Sequence, residues 1–110
     1  MGTFFYFLQK NFKVRVISKK ILREFWEKHV DSTQQLKSWF QETSVANWKS
    51  PKQIKKDYQS ASFLADNRVV FNIKGNKYRL VVRINYEYSM VWIRFIGTHA
   101  EYDKIDSTKI

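Results

Sequence analysis

The feature that most constrains the fold is a period-two alternation in the C-terminal third of the chain. Tyr78, Leu80, Val82 and Ile84 fall on one face of a strand, and Lys77, Arg79, Val81 and Arg83 fall on the other. One face is expected to pack on helices while the other presents cations. The apolar segment 68–73 precedes this strand, and Gly75-Asn76 between them supplies the turn residues of a β-hairpin. A further strand is expected over 90–96, which makes an antiparallel sheet.

The rest of the chain reads as one short strand and three helices. Val14-Arg15-Val16-Ile17 is strand-like. Ser18 is placed to cap a helix that carries Ile21, Leu22, Phe25, Trp26 and Val30 on one stripe. Ser32-Thr33-Gln34-Gln35 has capping-box spacing and opens a second helix with Leu36, Trp39 and Phe40 as its apolar face. The two helices are expected to form a hairpin. In Ser50-Pro51-Lys52-Gln53, Ser50 can cap and Pro51 suits the first position of a third, shorter helix whose Ile54 and Tyr58 face inward. Residues 59–67 are expected to be a loop. The fold class is therefore α+β: a small single domain with an N-terminal strand and a helical hairpin packed on an antiparallel sheet. The domain runs over 14–110, and residues 1–13, an aromatic run with Lys10 and Lys13 and no acid, read as an extension or as the product of a misassigned start.

Charge narrows the function. The chain carries a net +10, and the span from Arg68 to His99 holds six Lys or Arg against one acid, Glu87, for a net of +5. Solubility does not require so large an excess on a small domain, so a polyanionic partner is expected, nucleic acid first and an anionic membrane surface second. Residues 19–58 are also basic but mixed, and read as a solvated helical surface. With 44% hydrophobic residues and nine Phe, six Tyr and four Trp, the chain has material for a core.

With no cysteine and two histidines, disulfides and thiolate metal sites are excluded, and a mechanism without a metal or other cofactor is the default. Phe4–Leu8 is too short to span a membrane and lacks the flanks of a secretory signal, so the chain reads as cytoplasmic with no membrane partner. No glycine-rich phosphate loop or Ser-His-Asp ordering occurs.

RNA carries its own nucleophile in the 2′-hydroxyl. An enzyme cutting it needs a base, an acid for the leaving 5′-oxygen, and cations around the phosphate. His99 is the best single proton carrier because its ordinary pKa of ~6.5 lets it work in either direction near neutrality. The bland reading is a ring that bonds Glu101 or Asp103. His29 reads as a surface or boundary residue. Tyr102 is able to donate a proton, stack on a base, or sit as an ordinary half-buried tyrosine. Arg79, Arg83 and Arg94 are candidates to fork onto phosphate oxygens. Lys74, Lys77 and Arg68 are expected to position the substrate.

The segments Val14-Arg15-Val16-Ile17-Ser18, Asn67-Arg68-Val69-Val70-Phe71-Asn72-Ile73 with Gly75-Asn76-Lys77-Tyr78-Arg79-Leu80-Val81, and Ile93-Arg94-Phe95-Ile96-Gly97-Thr98-His99-Ala100-Glu101-Tyr102-Asp103 resemble the HigB family of bacterial toxins. The resemblance implies a RelE-like ribonuclease toxin of a type II toxin–antitoxin pair that cleaves mRNA, commonly on translating ribosomes. It also implies a cognate helix-turn-helix antitoxin of the HigA kind, and operator DNA bound only through the toxin–antitoxin complex. Arg79, Arg94, His99 and Tyr102 lie inside the matching motifs, and Arg83 and Lys74 join them on strand geometry. The alternative is a non-catalytic RNA- or ribosome-binding module using the same cations.

Overall fold

Every backbone N–H and C=O of the central strands has to find a partner, and a five-stranded sheet with order β1-β5-β4-β3-β2 provides them. The computed structural model describes residues 14–107 and 109–110, so the extension read over residues 1–13 lies outside the described residues. The elements are β1 (Arg15–Ile17), α1 (Lys19–Lys28), a 3₁₀ turn (Val30–Ser32), α2 (Thr33–Val45), α3 (Pro51–Asp57), β2 (Ser62–Leu64), β3 (Arg68–Ile73), β4 (Tyr78–Asn85), β5 (Met90–Thr98) and α4 (His99–Asp103). The class is α+β, as expected. The sheet is mixed rather than wholly antiparallel, because β1 runs parallel to β5.

The alternation in β4 holds. Tyr78, Leu80, Val82 and Ile84 are buried in one core with Leu22, Leu36, Trp39, Ile54, Phe71 and Val91. Side chains of this size stabilise by roughly 1.5–3 kcal/mol each when fully buried, which is what holds the α1–α2 hairpin on the sheet. The stripe on α1 is narrower than the sequence suggests: Leu22 is buried and Phe25 and Trp26 pack against the core, but Ile21 and Val30 are exposed.

Three helix starts differ from expectation. Ser18 is left-handed with φ 76° and makes no capping bond. The Ser32 hydroxyl donates back to the His29 carbonyl at 2.7 Å instead of capping α2, and the Gln35 side chain accepts from the Lys74 backbone N–H. Ser50 likewise makes no side-chain cap, although Pro51 does stand at the start of α3. At Ser32 the box is lost because its hydroxyl turns back to His29 and Gln35 is taken by the hairpin turn. The segment expected as a loop contains β2, which pairs with β3. The hairpin turn spans Lys74 to Lys77, with Lys74 and Gly75 both left-handed at φ 56° and 64°, so the unusual backbone begins one residue earlier than Gly75-Asn76.

The opposite face of the sheet is partly covered. Val70 and Val81 are buried there, outside the main core. The chain leaves β5 into α4, and the tail then returns to β3, where the backbone oxygen of Ile110 accepts from Arg68 Nε at 2.8 Å. Among the described residues no helix is long and apolar enough to cross a membrane.

Candidate nucleic-acid interface

The cations of the second sheet face are set by register. Arg79 pairs with Gly97, Val81 with Phe95, and Arg83 with Trp92. Val81 pairs with Phe95 and Val82 with Ile93, so Arg94 is the extra residue of a β-bulge. An unpaired residue of this kind is re-aimed by the local bend. Here the bend brings Arg94 into a cavity of about 330 Å³ that Arg83 also lines, together with Asn67, Asn85 and Trp92. Two fixed positive charges facing one polar hollow suit an anion with several acceptor oxygens.

The other sequence candidates are distributed along the same sheet rather than gathered at this cavity. Thr98 pairs with Tyr78, five residues from Arg83 along β4, which is about 17 Å at ~3.3 Å per residue. His99 lies beyond that pair as the first residue of α4. Its Nδ1 sits 3.1 Å from Asp103 Oδ2, so of the two bland partners it is Asp103 that meets the ring, and the histidine side chain remains about half exposed. Arg79 stands between the two ends, with Nη1 donating to the carbonyls of Asn76 and Tyr78 at 3.2 and 3.4 Å. Tyr102 lies one turn further along α4. Its ring meets Phe95 at 6.4 Å between centroids, and its hydroxyl is 3.3 Å from Ser107 Oγ. Tyr102 thus meets β5 through the ring of Phe95, the residue that follows Arg94.

The three cations expected to position substrate differ from one another in their surroundings. Arg68 is 7% exposed, bonded to Ile110 and 3.6 Å from Asp66, so it is not part of the free surface. Lys77 is ion-paired to Asp31, to which the Tyr78 hydroxyl also donates at 2.5 Å. These two donors hold the Asp31 carboxyl below the usual range, with Lys77 the larger cause. Lys74 is exposed in the hairpin turn.

Residues 32–105 match the model of a family described as HigB toxin, the RelE-like toxic component of a toxin–antitoxin system. The chain belongs to the HigB toxin family. It is also similar to the mRNA interferase toxin HigB of Escherichia coli strain K12, with 28% identity over 92 residues that cover 82% of this chain and 88% of that protein. The mRNA interferases HigB of Escherichia coli O157:H7 and Shigella flexneri match over the same shares at the same identity. As a HigB-family toxin the chain has an antitoxin as its partner.

Several groups around this toxin's cavity were not singled out from the sequence. Asn67, Asn85 and Trp92 line it: Trp92 is opposite Arg83 in register, Asn85 ends the same strand two residues on, and Asn67 directly precedes β3. Thr98 and Glu101 form a full capping box at the start of α4, which fixes the helix that carries His99 and Tyr102. The backbone N–H of Thr98 donates to Glu101 at 2.8 Å and, with the Thr98 side chain, holds that carboxyl below its usual range. Thr-x-x-Glu is readable in the sequence. Gly97 has a packing reason: a Cβ there would stand 2.6 Å from the Phe95 ring and 2.9 Å from Glu101, both of which close over it.

Proposed function

We propose that this chain is a metal-independent endoribonuclease toxin that cleaves mRNA on the ribosome and so arrests translation in the cytoplasm. The observation that carries the reading is the convergence of Arg83 and Arg94 on one cavity of the open sheet face. The relatives, which are mRNA interferases by name, support the same reading. The cognate antitoxin in this reading is a helix-turn-helix protein of the HigA kind, and the complex of the two binds operator DNA.

In the proposed reaction the 2′-hydroxyl of one nucleotide gives up its proton to solvent water as its oxygen attacks the adjacent phosphorus, the bond to the 5′-oxygen of the next breaks, and a 2′,3′-cyclic phosphate and a 5′-hydroxyl are left. Arg83 and Arg94 stabilise the charge on the non-bridging oxygens, which rises in the transition state. Tyr102, whose ring meets Phe95 of the same strand as Arg94, donates to the leaving 5′-oxygen in this reading. His99, with one ring nitrogen turned to Asp103, stands at the far end of the face and meets a flanking nucleotide with Arg79 and Lys74.

The test is cleavage of a reporter mRNA in a translation extract. Magnesium is required by the ribosome, so a parallel arm uses naked RNA in chelator. Wild type should create new 5′ ends, and Arg83→Ala and Arg94→Ala should each lower the rate about 10²-fold. Translation arrest by all three proteins without new ends would instead identify a non-catalytic ribosome-binding module.

A further inference from the structure

The cavity that holds Arg83 and Arg94 has three more side chains than a phosphate needs. Trp92 is the cross-strand partner of Arg83, half-buried on the same face, and an indole in this position offers a stacking platform for a base. Asn67 and Asn85 stand on the rim. At about 330 Å³ the cavity lies at the lower end of the ~300–1,000 Å³ range of small-ligand sites, which suits a single nucleotide.

The two amides are not equivalent. Asn85 Oδ1 accepts from the Tyr88 backbone N–H at 2.9 Å in the β4–β5 turn, so its oxygen is turned to the main chain and its NH₂ is left to donate. Asn67 is held by its backbone: it is left-handed at φ 59°, and its carbonyl accepts from Ile84 N–H at 2.9 Å. Its side-chain oxygen is the one uncommitted amide acceptor on the rim. A base that fits must offer acceptors to the Asn85 NH₂ and a donor to Asn67. Guanine presents N7 and O6 as adjacent acceptors, followed by the N1–H and N2 donors. Adenine presents a donor at N6 beside N7, and an asparagine reads that pair with its oxygen and NH₂ together, an arrangement the Tyr88 contact disfavours at Asn85.

We infer that this cavity is a guanine-reading subsite, in which Trp92 stacks on the base, Asn85 and Asn67 read its edge, and Arg83 and Arg94 hold the phosphate of the same nucleotide. The inference rests on the endoribonuclease reading and adds a sequence preference to it. The probes are fluorescein-labelled, fully 2′-O-methylated hexamers of cytosine with one central guanine, adenine or 7-deazaguanine. Methylation removes the nucleophile, so fluorescence anisotropy reads affinity alone.

Wild type should bind the guanine probe about tenfold more tightly than the adenine probe, with 7-deazaguanine falling between. Asn85→Asp keeps an acceptor for Tyr88 but removes the donor, and should bring guanine and adenine within twofold of each other. Asn67→Gly keeps the left-handed backbone and should also shrink the preference, which guards against a fold defect in the first variant. Equal affinity for the two bases, tighter binding of adenine, or no binding of any probe overturns the inference. If the same protein still cuts a reporter mRNA in a translation extract, the endoribonuclease reading survives that result; if it neither binds nor cuts, both fall.

Discussion

Among the arginines of the open face, neighbours decide which charge is available. Arg68 and Arg83 are paired in register, yet Arg68 is spent on Asp66 and the tail while Arg83 faces the cavity. Asp66 lies two residues away and was readable as a neighbour, but the acceptor Ile110 is distant in the chain and was not. Lys77 is similar: its partner Asp31 belongs to the turn between α1 and α2. Strand parity told which face a cation would occupy, and long-range pairing determined whether it was free. For the proton carriers the sequence favoured His99, and the proposed reaction gives the acid's role to Tyr102. Tyr102→Phe should slow cleavage by about 10²-fold, the low end for general acid catalysis. His99→Gln should cost less than about tenfold in the same single-turnover assay. The reverse order of effects would move the scissile phosphate toward Arg79.

At the scale of elements, two junctions hold the site's frame. The first ties the 3₁₀ turn to the start of β4 through Asp31, Lys77 and Tyr78. The Asp31 carboxyl is held below its unfolded value, so its contribution is fully present above the ordinary carboxylate range near ~3.9 and is lost as pH falls through the depressed folded value. Thermal unfolding from pH 6 down to pH 2 should therefore show a shallower acid slope for Asp31→Asn than for wild type. The second junction is the capping box of α4. Thr98→Ala should cost about 1 kcal/mol in chemical denaturation, and should weaken cleavage further through loss of Tyr102 placement. The boxes expected at Ser32 and Ser50 are not formed, whereas the one at Thr98 is. A serine or threonine three residues before Glu or Gln proposes a cap, and packing around it decides.

Over the whole molecule, the sheet is buried on one side by helices and on the other by a thinner cover of α4 and the returning tail. The helical side was legible because its alternation and stripes are strong. The other side was not, since Val81 fell on the face read as presenting cations, yet Val81 and its partner Val70 are both buried. Val81→Ala should cost about 2 kcal/mol in the same denaturation experiment, a loss that a solvent-facing valine would not show. The bulge at Arg94 has a consequence for how this strand can vary. Before it, the odd-numbered Val91 and Ile93 point to the helices; after it, the even-numbered Ile96 does. The two halves of β5 thus obey opposite counting rules, joined by one surplus residue that is itself an arginine of the cavity. Deleting Arg94 would not merely remove a charge: Ile93 and Phe95 would become consecutive opposite Val82 and Val81, the two counts would merge into one unbroken alternation, and every apolar side chain of the strand would keep its face while the cavity alone lost its arginine.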